Sequence, residues 1–309
     1  MGYATIIFDG NGFARAAFQP GPTPTMHHRF LLRVFKVNLD NPGCRQIVTW
    51  DTTDAHRRIE RFPSYKESRK KGSPFADLAQ FNQQRREVGI ALLPHLGVHQ
   101  AWCDGWEADD VIATLTHTSE KPVLILTRDA DLLQLVRPDV HVLLKVKSEE
   151  CVFTPAEVRK QRSLDPEQLT DWKALAGDKG DDVPGMEGVG EKTATVVLQR
   201  YPGLVGDLLS GRLLREDLEA VVNGVRVNVK GTVATALEKA FGLVLNGVRA
   251  PAADFGNAVE RLRLMRWLVE LHEVPVTIAR GRLDLTEANA RFREFQLSKL
   301  RARLDEWER

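Results

Sequence analysis

Four short runs of apolar, largely β-branched residues punctuate the first half of the chain, with helix-patterned polar stretches between them. Tyr3-Ala-Thr-Ile-Ile-Phe8 reads as a buried strand, ended by Asp9-Gly10. Gln46-Ile-Val-Thr-Trp50 is a second strand, ended by Asp51. Pro122-Val-Leu-Ile-Leu-Thr127 is a third, followed by Arg128-Asp129-Ala130-Asp131, and Val140 to Val146 is a fourth. Helical patterning surrounds Phe75 to Leu93 and opens again at Asp109 towards Thr118. Strand, helix, strand, helix predicts a parallel sheet with helices on both faces. Ligands of such sheets sit at the carboxyl ends of the strands. Three of the predicted strands run into aspartate, so carboxylates converge on one edge of the sheet.

After about residue 155 the strand pattern stops. Residues 155–309 read as mostly helical, with breaks at Pro166, Gly177–Gly190, Pro202 and Pro251. Val222 to Val233 fits a small hairpin or an irregular loop. Leu262 to Leu271 and Ala288 to Trp307 fit amphipathic helices. No internal repeat or low-complexity tract interrupts the chain.

Composition adds little to this picture. With 43% apolar and 28% charged residues, the 309-residue chain suits one large globular domain or two small ones. Cys44, Cys103 and Cys151 are far apart and form no CxxC pair, which argues against zinc and a disulfide framework and for a reducing cytosol. No secretory signal precedes the first strand. The longest uncharged run, Val88 to Cys103, contains Pro94 and two histidines and is too short to span a bilayer. The net charge of +1 hides an uneven distribution. Between His56 and Lys71 seven basic residues face two acidic ones, giving +5. A basic binding surface beside an acidic metal site is compatible with a neutral total.

The candidate metal ligands are Asp9, Asp51, Glu107, Asp109, Asp110, Asp129, Asp131, Asp178 and Asp181. Taken singly, each has a plainer explanation: Asp109 and Asp110 as helix caps, Asp129 and Asp131 as turn formers, Asp178 and Asp181 as ordinary residues of a glycine-rich loop. Taken together they repel one another and need a counter-charge. Hard divalent cations such as Mg²⁺ or Mn²⁺ prefer oxygen ligands and supply it. Two such ions roughly 4 Å apart suit phosphodiester hydrolysis.

A glycine turn, Gly188-Val189-Gly190-Glu191-Lys192-Thr193, opens a helix within a longer string running from Gly177-Asp178 through Asp181 and Pro184. Glycine lets the backbone approach a ligand closely, and amides at a helix start favour an anion such as phosphate. The spacing is neither a Walker P-loop nor, after a helical region, a dinucleotide fingerprint. A bare structural turn is the alternative.

These residues in order, Asp9-Gly10, Trp50-Asp51 to Arg58, Phe62-Pro-Ser-Tyr65-Lys66-Glu-Ser-Arg69, Glu107-Ala-Asp109-Asp110, Thr127-Arg-Asp129-Ala-Asp131 and the Gly177–Thr193 string, resemble the 5′→3′ exonuclease and flap-endonuclease family. That family includes the nuclease domain of bacterial DNA polymerase I and stand-alone phage 5′ nucleases. The resemblance covers roughly residues 4–205. It implies a PIN-like α/β nuclease core over 1–160, with a helical arch at about 63–95. A mainly helical region over 161–309 would follow, with a helix–three-turn–helix element at about 168–206.

The resemblance also implies two metal sites. Asp9, Asp51, Glu107, Asp109, Asp110 and Asp129 would form the first, and Asp131, Asp178 and Asp181 the second, with Asp129 near both. Two or more Mg²⁺ or Mn²⁺ ions would be held, and in this family K⁺ can bind backbone carbonyls at the 188–193 turn. Lys66 and Arg69 would be catalytic, contacting the scissile phosphate. Arg58, Tyr65, Lys70, Lys71, Gly188, Gly190, Lys192 and Thr193 would contact DNA; Tyr65 or Phe62 would stack on an unpaired base, with burial in the core as the alternative of at least equal weight.

The basic run agrees with several phosphate contacts, although a solvated helix face explains charge alone equally well. Two positions depart from the family pattern: Arg15 lies six residues after Asp9 where an arginine at seven is usual, leaving Ala16 in its place, and Asp182 replaces the usual Asn as a spectator. The expected protein is a stand-alone monomeric cytoplasmic nuclease of replication or repair. It would cut DNA with a free 5′ end or flap, with RNA/DNA hybrids and RNA primers as further substrates. The competing readings are a DNA-binding member with weak catalysis and a toxin-type PIN ribonuclease.

Overall fold

The computed structural model describes residues 2–21, 25–52, 57–71, 77–146, 149–218, 232–241, 244–245, 248–249 and 255–307. The chain forms two compact units. The first comprises 1–57, 73–154 and 271–309, the second 58–72 and 155–270. The expected arch is thus divided between them: Pro63–Lys71 belongs to the second unit, Asp77–His95 to the first, and 72–76 lie outside the described residues. The loop or hairpin expected near 222–233 lies almost wholly outside them as well.

The first unit is built on a seven-stranded sheet. Its strands are β1 (Thr5–Asp9), β2 (Arg45–Thr49), β3 (His99–Trp102), β4 (Val123–Thr127), β5 (Val140–Val146) and β6 (Glu149–Phe153), with Thr277–Ala279 as the last. The order is β6-β5-β4-β1-β2-β3 and then Thr277–Ala279. β1 to β5 run parallel, and both edge strands are antiparallel. β1 is central and buried along its whole length, which its unbroken apolar run requires. Ile6 and Phe8 join a cluster with the amphipathic helix α2 (Met26–Asp40), whose Phe30, Leu31, Val34 and Phe35 lie on one stripe. Ile7, between them, points to the opposite face. Helix α6 (Ala108–Thr118) packs on β1, β2 and β3.

The expectation that strands end near 155 is corrected by Thr277–Ala279, which pairs with β3. The segment before it returns to α6: His272 N donates to Asp110 Oδ1 at 2.9 Å and Val274 N to Thr114 Oγ1 at 2.8 Å. The helix expected from Ala288 to Trp307 is broken into Leu285–Glu294, Ser298–Arg301 and a 3₁₀ turn at Leu304–Glu306. Trp307 closes it, donating from Nε1 to Leu96 O at 3.0 Å and packing on Phe35.

The second unit is mainly helical. α7 (Pro155–Arg162) leads to α8 (Leu169–Ala176), a loop over 177–190, α9 (Glu191–Arg200) and α10 (Leu204–Leu209). The helix Phe255–Val269 packs on α8 and α10. The loop turns sharply at Gly177 (φ +82°) and Gly185 (φ +67°). A Cβ on Gly185 would meet Gly177 N at 2.4 Å, and one on Gly177 would meet Val183 O at 2.6 Å, so the two glycine backbones lie against each other.

Candidate functional site

The carboxylates of the first unit come together because of strand register. Phe8 pairs with Leu126, so the next residues, Asp9 and Thr127, are neighbours. On the other side Asp9 pairs with Thr49, two residues before Asp51. Asp9 caps helix α1 (Gly10–Ala17), its Oδ1 accepting from Gly12 N at 2.8 Å, while Oδ2 accepts from the Thr127 hydroxyl at 3.0 Å. The Asp9 carboxyl is pushed up to about 6, chiefly by burial and in smaller part by the charges of Asp51 and Asp129, against the pull of the Gly12 amide and the Thr127 hydroxyl. Thr127 also accepts from Asp129 N at 2.9 Å, and Asp129 Oδ1 accepts from Asp131 N at 2.9 Å. Asp51 Oδ1 accepts from Ala108 N at 2.8 Å, which sets it at the start of α6.

Asp9, Asp51 and Asp129 therefore share one edge of the sheet. An all-oxygen set in which Asp51 and Asp129 raise the proton affinity of Asp9 fits a hard divalent cation. Glu107 and Asp109 occupy the first turn of α6, where Glu107 and Asp110 form a capping box. Asp110 is fully buried, and its two oxygens accept backbone amides from Glu107 and His272. It holds the start of α6 in place.

In the second unit the basic segment folds onto the loop after α8. Lys66 N donates to Asp181 O at 3.0 Å, Ser68 N to Asp182 Oδ2 at 2.8 Å and Arg69 Nε to Gly180 O at 3.0 Å. The Asp181 carboxylate receives the Tyr65 hydroxyl at 2.9 Å, Lys66 Nζ at 3.5 Å and the Arg69 guanidinium. Lys66 and Asp182 both adopt left-handed backbone, at φ 55° and 56°. Asp182, expected as a spectator, is thus an acceptor that fixes this clamp. Asp178 binds Lys173 and accepts from Gly180 N at 2.8 Å. Burial pushes its carboxyl up, but Lys173 and two backbone amides outweigh that and hold it below the usual range.

Of the two alternatives for Tyr65, stacking and burial, the structure has burial, and Arg58, expected at DNA, is buried as well. Tyr65 is 4% exposed, so its ring is closed to an incoming base, and its hydroxyl serves Asp181. Arg58 is equally buried and caps the helix Phe255–Val269, donating to Leu268 O at 2.9 Å and Glu270 O at 2.8 Å. Gly188, Gly190 and Lys192 are exposed at the start of α9 and Thr193 is half-buried. The side chains of Lys70 and Lys71 lie outside the described residues. Thr127 and Arg85 are the residues that sequence reading gave no role. A threonine ending a buried strand two positions before an aspartate was the available signal for the first. Arg85 Nη1 reaches Asn11 Oδ1 at 3.1 Å and Asp51 O at 3.2 Å, a contact across 34 residues that no local pattern records.

Residues 5–163 match the family model described as 5′-3′ exonuclease, N-terminal resolvase-like domain, and residues 164–291 match 5′-3′ exonuclease, C-terminal SAM fold. The chain belongs to the 5′-3′ exonuclease family. A 5′-3′ exonuclease of Aquifex aeolicus (strain VF5) is 34% identical over 233 residues, covering 69% of this chain and 78% of that one. DNA polymerase I of Mycobacterium tuberculosis (strain H37Rv) is 32% identical over 247 residues, covering 75% of this chain and 26% of the polymerase. The chain therefore spans about a quarter of the length of the DNA polymerase I relatives it matches.

Among solved structures, T5 5′-exonuclease with bound divalent metal ions (zinc) gives a TM-score of 0.61 at 17% identity, over 99% of both chains. Human GEN1 in complex with Holliday junction DNA gives 0.57 at 15% identity, over 97% of this chain and 68% of that one. At these identities the likeness is one of fold, and the fold is that of the 5′-3′ exonuclease family. Among the described residues no helix is long and apolar enough to cross a membrane.

Proposed function

We propose that this member of the 5′-3′ exonuclease family is a divalent-metal-dependent 5′ nuclease that hydrolyses DNA phosphodiesters near a free 5′ end or a flap junction. The observation that carries the reading is the convergence of Asp9, Asp51 and Asp129 at the ends of three adjacent parallel strands, with Thr127 ordering two of them. Asp9, Asp51 and Asp129, with Glu107 and Asp109 at the start of α6, would hold one Mg²⁺ or Mn²⁺. Asp110 would act behind them by fixing that helix. Asp131, Asp178 and Asp181 would hold the second ion, an assignment that rests on the family resemblance. Ions held there would supply an activated water and offset charge on the phosphate.

The chain's own groups do the rest. Lys66 and Arg69, already beside Asp181, offer cationic donors to the scissile phosphate. Gly188, Gly190, Lys192 and Thr193 at the start of α9 meet the phosphates of the duplex, and carbonyls of that turn take K⁺. Products carry a 5′-phosphate and a 3′-hydroxyl. RNA/DNA hybrids are substrates, the working form is a monomer, and the setting is the cytoplasm in replication or repair, including primer removal.

The test is Mg²⁺-dependent cleavage of a 5′-labelled flap duplex by the wild type, Asp129→Asn and Lys66→Ala. Cutting at the junction that disappears in Asp129→Asn and falls steeply in Lys66→Ala is the expected result. Tight flap binding without cleavage, in Mg²⁺ and in Mn²⁺, would leave a DNA-binding protein instead.

A further inference from the structure

A cavity of about 360 Å³ opens beside Asp51 within the first unit, on the side of the sheet edge where β2 and β3 end. Its size is that of an ordinary small-ligand pocket. Its lining residues include Trp50, Trp102, Ile90, Arg85 and Arg86. Among the described residues Asp51 is the sole acid of the lining.

The walls are built rather than incidental. Trp50 stacks on the buried Phe30 at 5.8 Å and 22°. Its Nε1 donates to Gln100 Oε1 at 2.9 Å, and Gln100 Nε2 donates to Gly89 O at 2.6 Å. Gly89 lies in a π-helical turn, Val88–Leu92, that follows the helix α5 (Leu78–Glu87). A Cβ on Gly89 would meet Gln100 Oε1 at 2.9 Å, so a larger residue there would displace the Gln100 amide that joins Trp50 to the turn. The turn leaves Ile90 at the rim, 69% exposed. Widened turns of this kind recur at functional sites. Arg85 is fixed by Asn11 and the Asp51 carbonyl, with its guanidinium 5.9 Å over Trp50; Arg86 is exposed on the same helix.

Aromatic and aliphatic faces take the flat surface of a base without regard to sequence. Two guanidinium groups take a phosphate. One carboxylate of the candidate metal group stands at the cavity's edge. We propose that this cavity is a subsite for one unpaired nucleotide of the 5′ strand, with the base against Trp102 and Ile90 and its phosphate at Arg86 and Arg85. The proposal rests on the nuclease reading above and specifies how the single-stranded end is gripped.

The experiment compares the affinity of the full chain for a flapped duplex and for the same duplex without a flap, by anisotropy with Ca²⁺ in place of Mg²⁺. Trp102→Ala, Trp102→Phe and Arg86→Ala are measured beside the wild type, each checked for native circular dichroism. Trp102→Ala and Arg86→Ala are expected to weaken flap binding about tenfold and to leave flap-less duplex binding unchanged. Trp102→Phe is expected to restore most of the loss, and a flap with an abasic first nucleotide to bind the wild type as weakly as Trp102→Ala does. Folded alanine variants that bind the flap like the wild type would overturn the subsite, as would occupation by free mononucleotide that does not compete with the flap. Cleavage in Mg²⁺ separates the two readings: a wild type that cuts nothing while the variants lose flap binding sinks the nuclease and keeps the subsite. Normal cutting with unchanged flap binding does the reverse.

Discussion

The Thr127 hydroxyl donates to Asp9 Oδ2 at 3.0 Å and accepts from Asp129 N at 2.9 Å, so one side chain sets two carboxylates at once. Both partners of the first bond are buried, and a buried carboxylate oxygen deprived of its donor costs about 1–3 kcal/mol. Thr127→Val keeps the shape and removes the hydroxyl. We expect kcat to fall about tenfold or more and the Mg²⁺ requirement to rise, with little change in KM for DNA. An unchanged Mg²⁺ titration would deny Thr127 its positioning role.

Asp9 carries a stability cost that its function requires. Its carboxyl titrates at about 6 in the fold against an ordinary value of 3.8, because it is buried beside Asp51 and Asp129. Ionising it therefore destabilises the metal-free protein, an effect absent well below pH 4, growing as pH rises and complete above about 6. Asp9→Asn should raise the stability of the metal-free protein at pH 8 by up to about 3 kcal/mol, with the gain fading towards pH 4, while cleavage is lost. Thermal denaturation in EDTA at the two pH values decides this; a variant less stable than the wild type at pH 8 would contradict it.

Tyr65 acts on Asp181 rather than on a base. Removing its hydroxyl deprives the carboxylate of one donor and leaves Lys66 and Arg69 in place. Tyr65→Phe is expected to lower kcat about tenfold, since hydrogen bonds to charged groups contribute about 1.5–3 kcal/mol, and Arg69→Ala to lower it further. A rise in KM for flapped DNA at constant kcat would instead restore Tyr65 as a base contact.

The two ends of the glycine-rich string differ in kind. Gly185 has no room for a Cβ, which would lie 2.4 Å from Gly177 N, whereas Gly190 faces open space. Gly185→Ala should cost about 2 kcal/mol or more and impair folding. Gly190→Val should fold normally and bind duplex DNA more weakly. Urea denaturation and a duplex titration on both variants separate the roles, and a fully stable Gly185→Ala would refute the packing argument.

Much of the sheet was legible because β1 and β4 are buried on both faces and must be continuously apolar, while β2 and β5 keep apolar residues at buried positions. β1, β2, β4 and β5 lie within a residue or two of the runs Tyr3–Phe8, Gln46–Trp50, Pro122–Thr127 and Val140–Val146. The strands that escaped notice are edge or half-buried ones: His99–Trp102 is only partly covered, and Glu149–Phe153 carries charge on an outer edge. Arg58 reads as a DNA contact from its place in a basic run, yet it is buried. Sequence cannot distinguish a basic residue that meets solvent from one that meets a helix end far along the chain.

By itself, the sequence determined that aspartates follow three parallel strands, because an apolar run and its terminator are adjacent in the chain and the side-chain period does the rest. Family membership was equally legible, since its motifs are local strings. Only the tertiary structure decided what each carboxylate does. Asp110 receives its amide from His272, 162 residues away, Tyr65 reaches Asp181 across 116, and Arg58 caps a helix end 210 residues on. Those contacts arise from the packing of distant segments, and burial removes from solvent groups whose local sequence is that of a surface.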